Sequence, residues 1–210
     1  MTEDVFVVAA RRTPIGAFQG ALSGASAPQL GAAAVRAAIA DSRVSAAQID
    51  EVILGCVLPA GLGQAPARQA SIAAGVPQAV PCTTINKVCG SGMRSAMLGC
   101  DSIRAGTAHI VVAGGFESMT NAPYLLPKAR QGYRMGHGEI LDHMFYDGLQ
   151  NPYDGQMMGH FADATAAKYQ FTRADQDAYA AESVRRAQAA CGNGAFAAEL
   201  AAVSVKARKG

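Results

Sequence analysis

Residues 5–9 form an unbroken apolar run of five, the length and character of a strand buried on both faces. From there the pattern switches back and forth between two periods. Residues 28–40 are alanine-rich and read as a helix. Ser45 is a plausible cap for a short helix, and 51–55 reads as a second strand. Pro66 sits well at the first turn of a helix that Gly75 should stop. Residues 82–85 are a third strand, 91–105 have helical composition, and 109–113 are a fourth strand. Strand and helix alternate, so the expected fold class is α/β, with parallel βαβ units and right-handed crossovers.

After Gly115 the periodicity fails. Residues 117–171 mix Pro, Gly, Tyr and Met without a sustained repeat, as functional or irregular insertions do. Thr172 then opens a helix expected to run to about Cys191, and a further strand is possible over 201–205.

Composition narrows the class. Half of the 210 residues are apolar and 16% are charged, enough to build a core. A net charge of +2 gives no argument for nucleic acid, and the basic cluster at 206–209 reads as a solvated surface. The first nine residues carry Glu3 and Asp4 and do not resemble a signal peptide. No stretch approaches a membrane span. Five cysteines, without scaffold spacing or Cys-x-x-Cys pairs, favour a reducing, cytoplasmic setting and indicate no metal site.

The chemistry centres on Cys89, in Asn86-Lys87-Val88-Cys89-Gly90-Ser91-Gly92-Met93, where a β-branched segment turns into a small-residue helix. A thiol at a helix start meets unpaired N–H groups and the positive end of the dipole, both of which favour thiolate. Gly90 and Gly92 keep the approach to sulfur clear and let backbone N–H groups face a reacting carbonyl oxygen. Core filling is the competing reading of any one cysteine. The strand–Cys–Gly–x–Gly–helix setting favours a nucleophile for acyl transfer.

This motif is similar to the nucleophile motif of the thiolases, which make or cleave 3-ketoacyl-CoA thioesters. Three further segments agree in order: Arg12-Thr13-Pro14-Ile15-Gly16-Ala17-Phe18 after the first strand, Ala113-Gly114-Gly115-Phe116-Glu117-Ser118-Met119 at a strand end, and Met158-Gly159 followed by Arg173-Ala174-Asp175-Gln176-Asp177. The resemblance implies a thiolase-like half-domain, a mixed, mostly parallel sheet with helices on both faces, over residues 1–117. Part of a cap follows over 118–210. It implies acetyl transfer between thioesters through a Cys89 acyl-enzyme, with a coenzyme A thioester as substrate and no covalently bound cofactor. Met158 would lie near the thioester and Leu149 would line the pantetheine path. For each, plain packing is an equal alternative. Met157 and Ala162-Asp163 depart from the family pattern, which often has His before Met-Gly and Ala-Glu at the second place. Glu117 reads as a structural hydrogen-bonding group, and His160 as a satisfied cap residue.

Thiolases carry a second half of similar fold. It supplies an activating His in a Gly-His-Pro context and an acid–base Cys in a Cys-x-Gly motif. His109, His137, His143 and His160 do not stand in that context, and Cys191-Gly192-Asn193-Gly194 reads as a helix stop. The chain is therefore expected to act as the front half, incomplete for catalysis alone, with a C-terminal half, copies of itself, or both as partners. A non-catalytic, partner-dependent subunit and a decarboxylating condensing enzyme of related fold are the alternatives.

Overall fold

The structure is a computed structural model that describes residues 4–205. It divides into two compact units, 4–148 with 201–205, and 149–200.

The first unit is built on three parallel strands, β1 (Glu51–Gly55), β2 (Cys82–Ile85) and β3 (Val111–Gly115), in the order β2-β1-β3. β1 is the central strand because it is apolar on both faces. Val52 and Leu54 join a core with Ala32 and Val35 of α1 (Ala27–Ser42) and Ala67 and Ala70 of α2 (Pro66–Ala74). Strand side chains alternate between faces. Gly55 accordingly turns the other way, toward α3 (Ser91–Arg104). Helices thus cover both faces of a parallel sheet, as expected.

Local sequence explains the element ends. Ser26 and Gln29 form a capping box at the start of α1. Gly75 stops α2 in the left-handed conformation at φ 98°, where its N–H meets the Ile72 carbonyl. Ser45 and Gln48 cap a single 3₁₀ turn. The Asp50 carboxylate accepts the N–H groups of His109 and Ile110 at 2.7 and 3.0 Å. Those bonds fix the entry to β3 and hold the Asp50 carboxyl below the usual range. β3 itself runs two residues later than the expected 109–113.

Residues 5–9 are a correction. They form no strand, and Phe6, Val7 and Val8 are 78%, 87% and 64% exposed. Together with residues 110–115 and parts of α1 and α3, residues 5–11 line a cavity of about 540 Å³. Residues 201–205 also form no strand, although the Ala201 N–H donates to the Arg12 carbonyl at 2.8 Å. The basic cluster at 206–209 lies outside the described residues.

The first unit extends beyond the expected boundary at 117/118 because the following segment is tied to earlier loops. Asn121 Nδ2 donates to the Ser23 and Ala25 carbonyls, and the Gln19 N–H donates to Thr120 Oγ1. A short antiparallel pair, β4 (Tyr124–Leu125) and β5 (Leu141–Asp142), closes this segment.

The second unit holds two helices, α4 (Met158–Lys168) and α5 (Arg173–Gly192), neither with a buried residue. The Thr172–Asp175 capping box starts α5, and Asn193 ends it with its N–H on the Ala189 carbonyl. α4 lies inside the stretch expected to be irregular. Its apolar positions have no face to bury, so they carry no helical period. Among the described residues no helix is long and apolar enough to cross a membrane.

Candidate active site

The site is built where β2 ends and α3 begins. α3 approaches the sheet through its smallest residues: Ser91, Ser95 and Gly99 are its buried positions. A Cβ added to Gly55 would stand 2.5 Å from Ser91 Cβ and 2.7 Å from the Ser91 carbonyl carbon. Only a residue without a side chain lets the first turn of α3 rest on the end of β1. Ser95 Oγ lies 2.6 Å from the Gly92 carbonyl and 2.7 Å from the Gly114 carbonyl, tying that turn to β3.

Cys89 is exposed, one residue before the Gly90 cap of α3. Val88, immediately before it, has φ 49°. That left-handed conformation costs an ordinary residue about 1–2 kcal/mol and is rarer still for a β-branched one. Gly90 departs from its expected role. Its N–H donates to the Lys87 carbonyl at 3.1 Å and is not offered to a substrate oxygen, and a Cβ there would face Lys87 at ordinary contact distance.

Behind the elbow lies a second polar group. The Glu117 carboxylate accepts the N–H groups of Val57 and Leu58 at 2.7 and 3.1 Å and lies 3.5 Å from Cys56 Sγ. Its geometry is the structural one expected. Burial first, and the Glu117 charge second, push the Cys56 thiol up to about 12. Cys56 is therefore a buried thiol whose surroundings disfavour the thiolate.

Sequence reasoning missed His143. It is buried, its Nδ1 sits 2.5 Å from Asp147 Oδ2, and its Nε2 accepts the Ala60 N–H at 3.3 Å. The imidazole therefore braces the Ala60 loop against the Asp147 carboxylate. The His-x-x-x-Asp spacing was the available signal.

Leu149 is half-buried at the end of a π-helical turn, Met144–Leu149. Met158 is the first residue of α4 and is 46% exposed. Both belong to the second unit, and Cys89 to the first. His160 is exposed, with its N–H on the Met157 carbonyl at 2.9 Å. Among the described residues no group of three or more His, Cys, Asp or Glu could hold a metal ion.

Comparison with known proteins gives a consistent picture. The family model for the thiolase N-terminal domain matches residues 5–210. Acetyl-CoA acetyltransferase of Pseudomonas aeruginosa is 50% identical over 208 residues, covering 99% of this chain and 53% of the relative. Acetyl-CoA acetyltransferase 1 of Arabidopsis thaliana is 49% identical over 207 residues, covering 99% and 50%. The crystal structure of Acat5 thiolase from Ascaris suum in complex with coenzyme A superposes with a TM-score of 0.90 at 42% identity, over 94% of this chain and 51% of that one. The chain spans about half the length of the curated relatives it matches. With the strand–cysteine–helix elbow and the family match over 5–210 in agreement, the chain belongs to the thiolase family.

Proposed function

We propose that this chain supplies the nucleophile half of an acetyl-CoA acetyltransferase, making or cleaving acetoacetyl-CoA through an acyl group carried on Cys89. The observation that carries the reading is the exposed Cys89 at the start of α3, held up by a left-handed Val88. The names of the relatives at about half identity support the substrate class.

In the first step the Cys89 thiolate attacks the thioester carbonyl. The carbon–sulfur bond to coenzyme A breaks, and the departing thiolate takes up a proton. The product is an S-acyl cysteine, and the kinetics are ping-pong. In condensation, a second acetyl-CoA loses an α-proton and its carbanion attacks the acyl carbonyl, freeing the Cys89 thiolate. The base for that proton and the group that activates Cys89 belong to a C-terminal half in this reading. Groups that act as a unit lose most of their effect when separated, so transfer by this chain alone is slow.

Leu149 and Met158 are proposed contacts for the coenzyme A thioester. The Met158 thioether, flexible and polarisable, suits an acyl chain, and its exposure leaves it free to meet one. A homo-oligomer and a cytoplasmic setting complete the proposal, the latter supported by five free cysteines.

The test supplies the matching C-terminal half of a relative together with acetyl-CoA and follows the acetyl adduct by peptide mass spectrometry. Acetylation at Cys89, lost in Cys89→Ser, is expected. An adduct on another residue, or condensation that survives Cys89→Ser, overturns the reading.

A further inference from the structure

We propose that Ser91 and Asn86 are positioning residues for Cys89, clamping Val88 in the left-handed conformation that projects the thiol from the helix start. The inference rests on Cys89 being the nucleophile.

Three observations converge on Val88. Its N–H donates to Asn86 Oδ1 at 2.8 Å, a side-chain bond from two residues upstream. Its carbonyl accepts from Ser91 Oγ at 2.6 Å and from the Ser91 N–H at 3.0 Å. The same Ser91 Oγ accepts the Lys87 N–H at 2.8 Å, so one hydroxyl bridges the peptide groups on both sides of the turn. Neither a valine side chain nor the turn itself favours φ 49°. The conformation persists because its surroundings fix it.

The clamp is itself anchored. Ser91 is 4% exposed, seated against Gly55 at the end of β1. Asn86 Nδ2 reaches the Val57 carbonyl at 3.4 Å, and the Val57 N–H ends on Glu117. A line of hydrogen bonds therefore runs from Glu117, just past β3, through Val57 and Asn86 to the residue before the thiol. Were Val88 to relax to the right-handed region, the peptide joining it to Cys89 would turn and take the thiol away from its present direction.

Glycine adopts positive φ without strain, so Val88→Gly separates strain from clamping. The first measurement is a denaturant cycle on the 210-residue chain with Ser91→Ala, Val88→Gly and the double variant. The loss in folding equilibrium constant on Ser91→Ala is expected to be at least fivefold larger in the Val88→Gly background, because only a valine relieves strain when the clamp opens and so offsets part of the loss. Equal losses in both backgrounds overturn the proposal.

The second measurement is the acetylation rate of Cys89 relative to Cys191 with p-nitrophenyl acetate, resolved by peptide mass spectrometry. This ratio is insensitive to a general loss of stability while the protein stays folded. It is expected to fall at least fivefold in Ser91→Ala and in Asn86→Ala. Asn86→Ser should restore it, because a serine can make the same bond two residues on. An unchanged ratio in both alanine variants overturns the clamp. If Ser91→Ala does not fold, the Asn86 pair decides. A parent chain whose Cys89 reacts no faster than Cys191 sinks the nucleophile reading instead, and the denaturant cycle still judges the clamp.

Discussion

Two thiols placed after neighbouring strands differ sharply in their surroundings. Cys56 is buried beside Glu117, and its thiol is pushed up to about 12; Cys89 stands exposed at a helix start. At neutral pH an alkylating agent should label Cys89 and leave Cys56 untouched until the protein unfolds, as competition labelling with mass spectrometry would show. The raised Cys56 value also makes stability depend on pH. The folded state holds the thiol proton more tightly than the unfolded chain, whose value is near 9.0. This contribution is complete below about pH 9 and is lost as pH rises toward 12, by at most about 1.4 kcal/mol per pH unit. Melting temperatures across that window should fall more steeply for the parent than for Cys56→Ala. Identical slopes would remove Cys56 from the account. The thiol at 89 could be picked out from its neighbours in sequence. The Ser91–Val88–Asn86 clamp could not, because a positive φ at valine is a product of tertiary packing and leaves no mark on composition.

At the scale of elements, contact between α3 and the sheet depends on absent side chains. Gly55→Ala would drive a methyl into Ser91 at 2.5 Å, with part of the obstruction being backbone. A loss of about 1–3 kcal/mol is expected for overpacking of this kind, together with altered labelling of Cys89. An unchanged denaturation midpoint would mean that α3 can shift freely. The strands at 51–55 and 82–85 and the helix after Pro66 were legible because each carries its own period and its own stop. α4 was not, since all eleven of its residues lack burial and no apolar stripe sets its phase. That lack has a dynamic consequence. Amides of α4 and α5 should exchange with deuterium well before those of β1 and α2, whose side chains share the core. Equal protection would show that the second unit is covered by something else.

For the whole molecule, the main feature is apolar surface without cover. On α3, Met93 and Met97 are 74% and 52% exposed, opposite the small residues that meet the sheet. The isolated chain is expected to associate, and light scattering should report particles larger than a monomer. Replacing both methionines by glutamine should reduce that association. The folding free energy should stay within about 0.5 kcal/mol, as for surface positions generally. A monodisperse parent with a sharp melt would contradict this. The expected domain boundary was read where the strand–helix alternation ended. The compact unit runs on to residue 148 because side-chain hydrogen bonds, such as those of Asn121, carry no periodicity. The unpaired run at 5–10 has a consequence in time. The gap beside it stays open with every described residue in place. While it is unfilled, Phe6, Val7 and Val8 are an adhesive ribbon, the kind of surface on which folding chains misassemble. Filling that gap early in folding is expected to reduce misassembly of this kind.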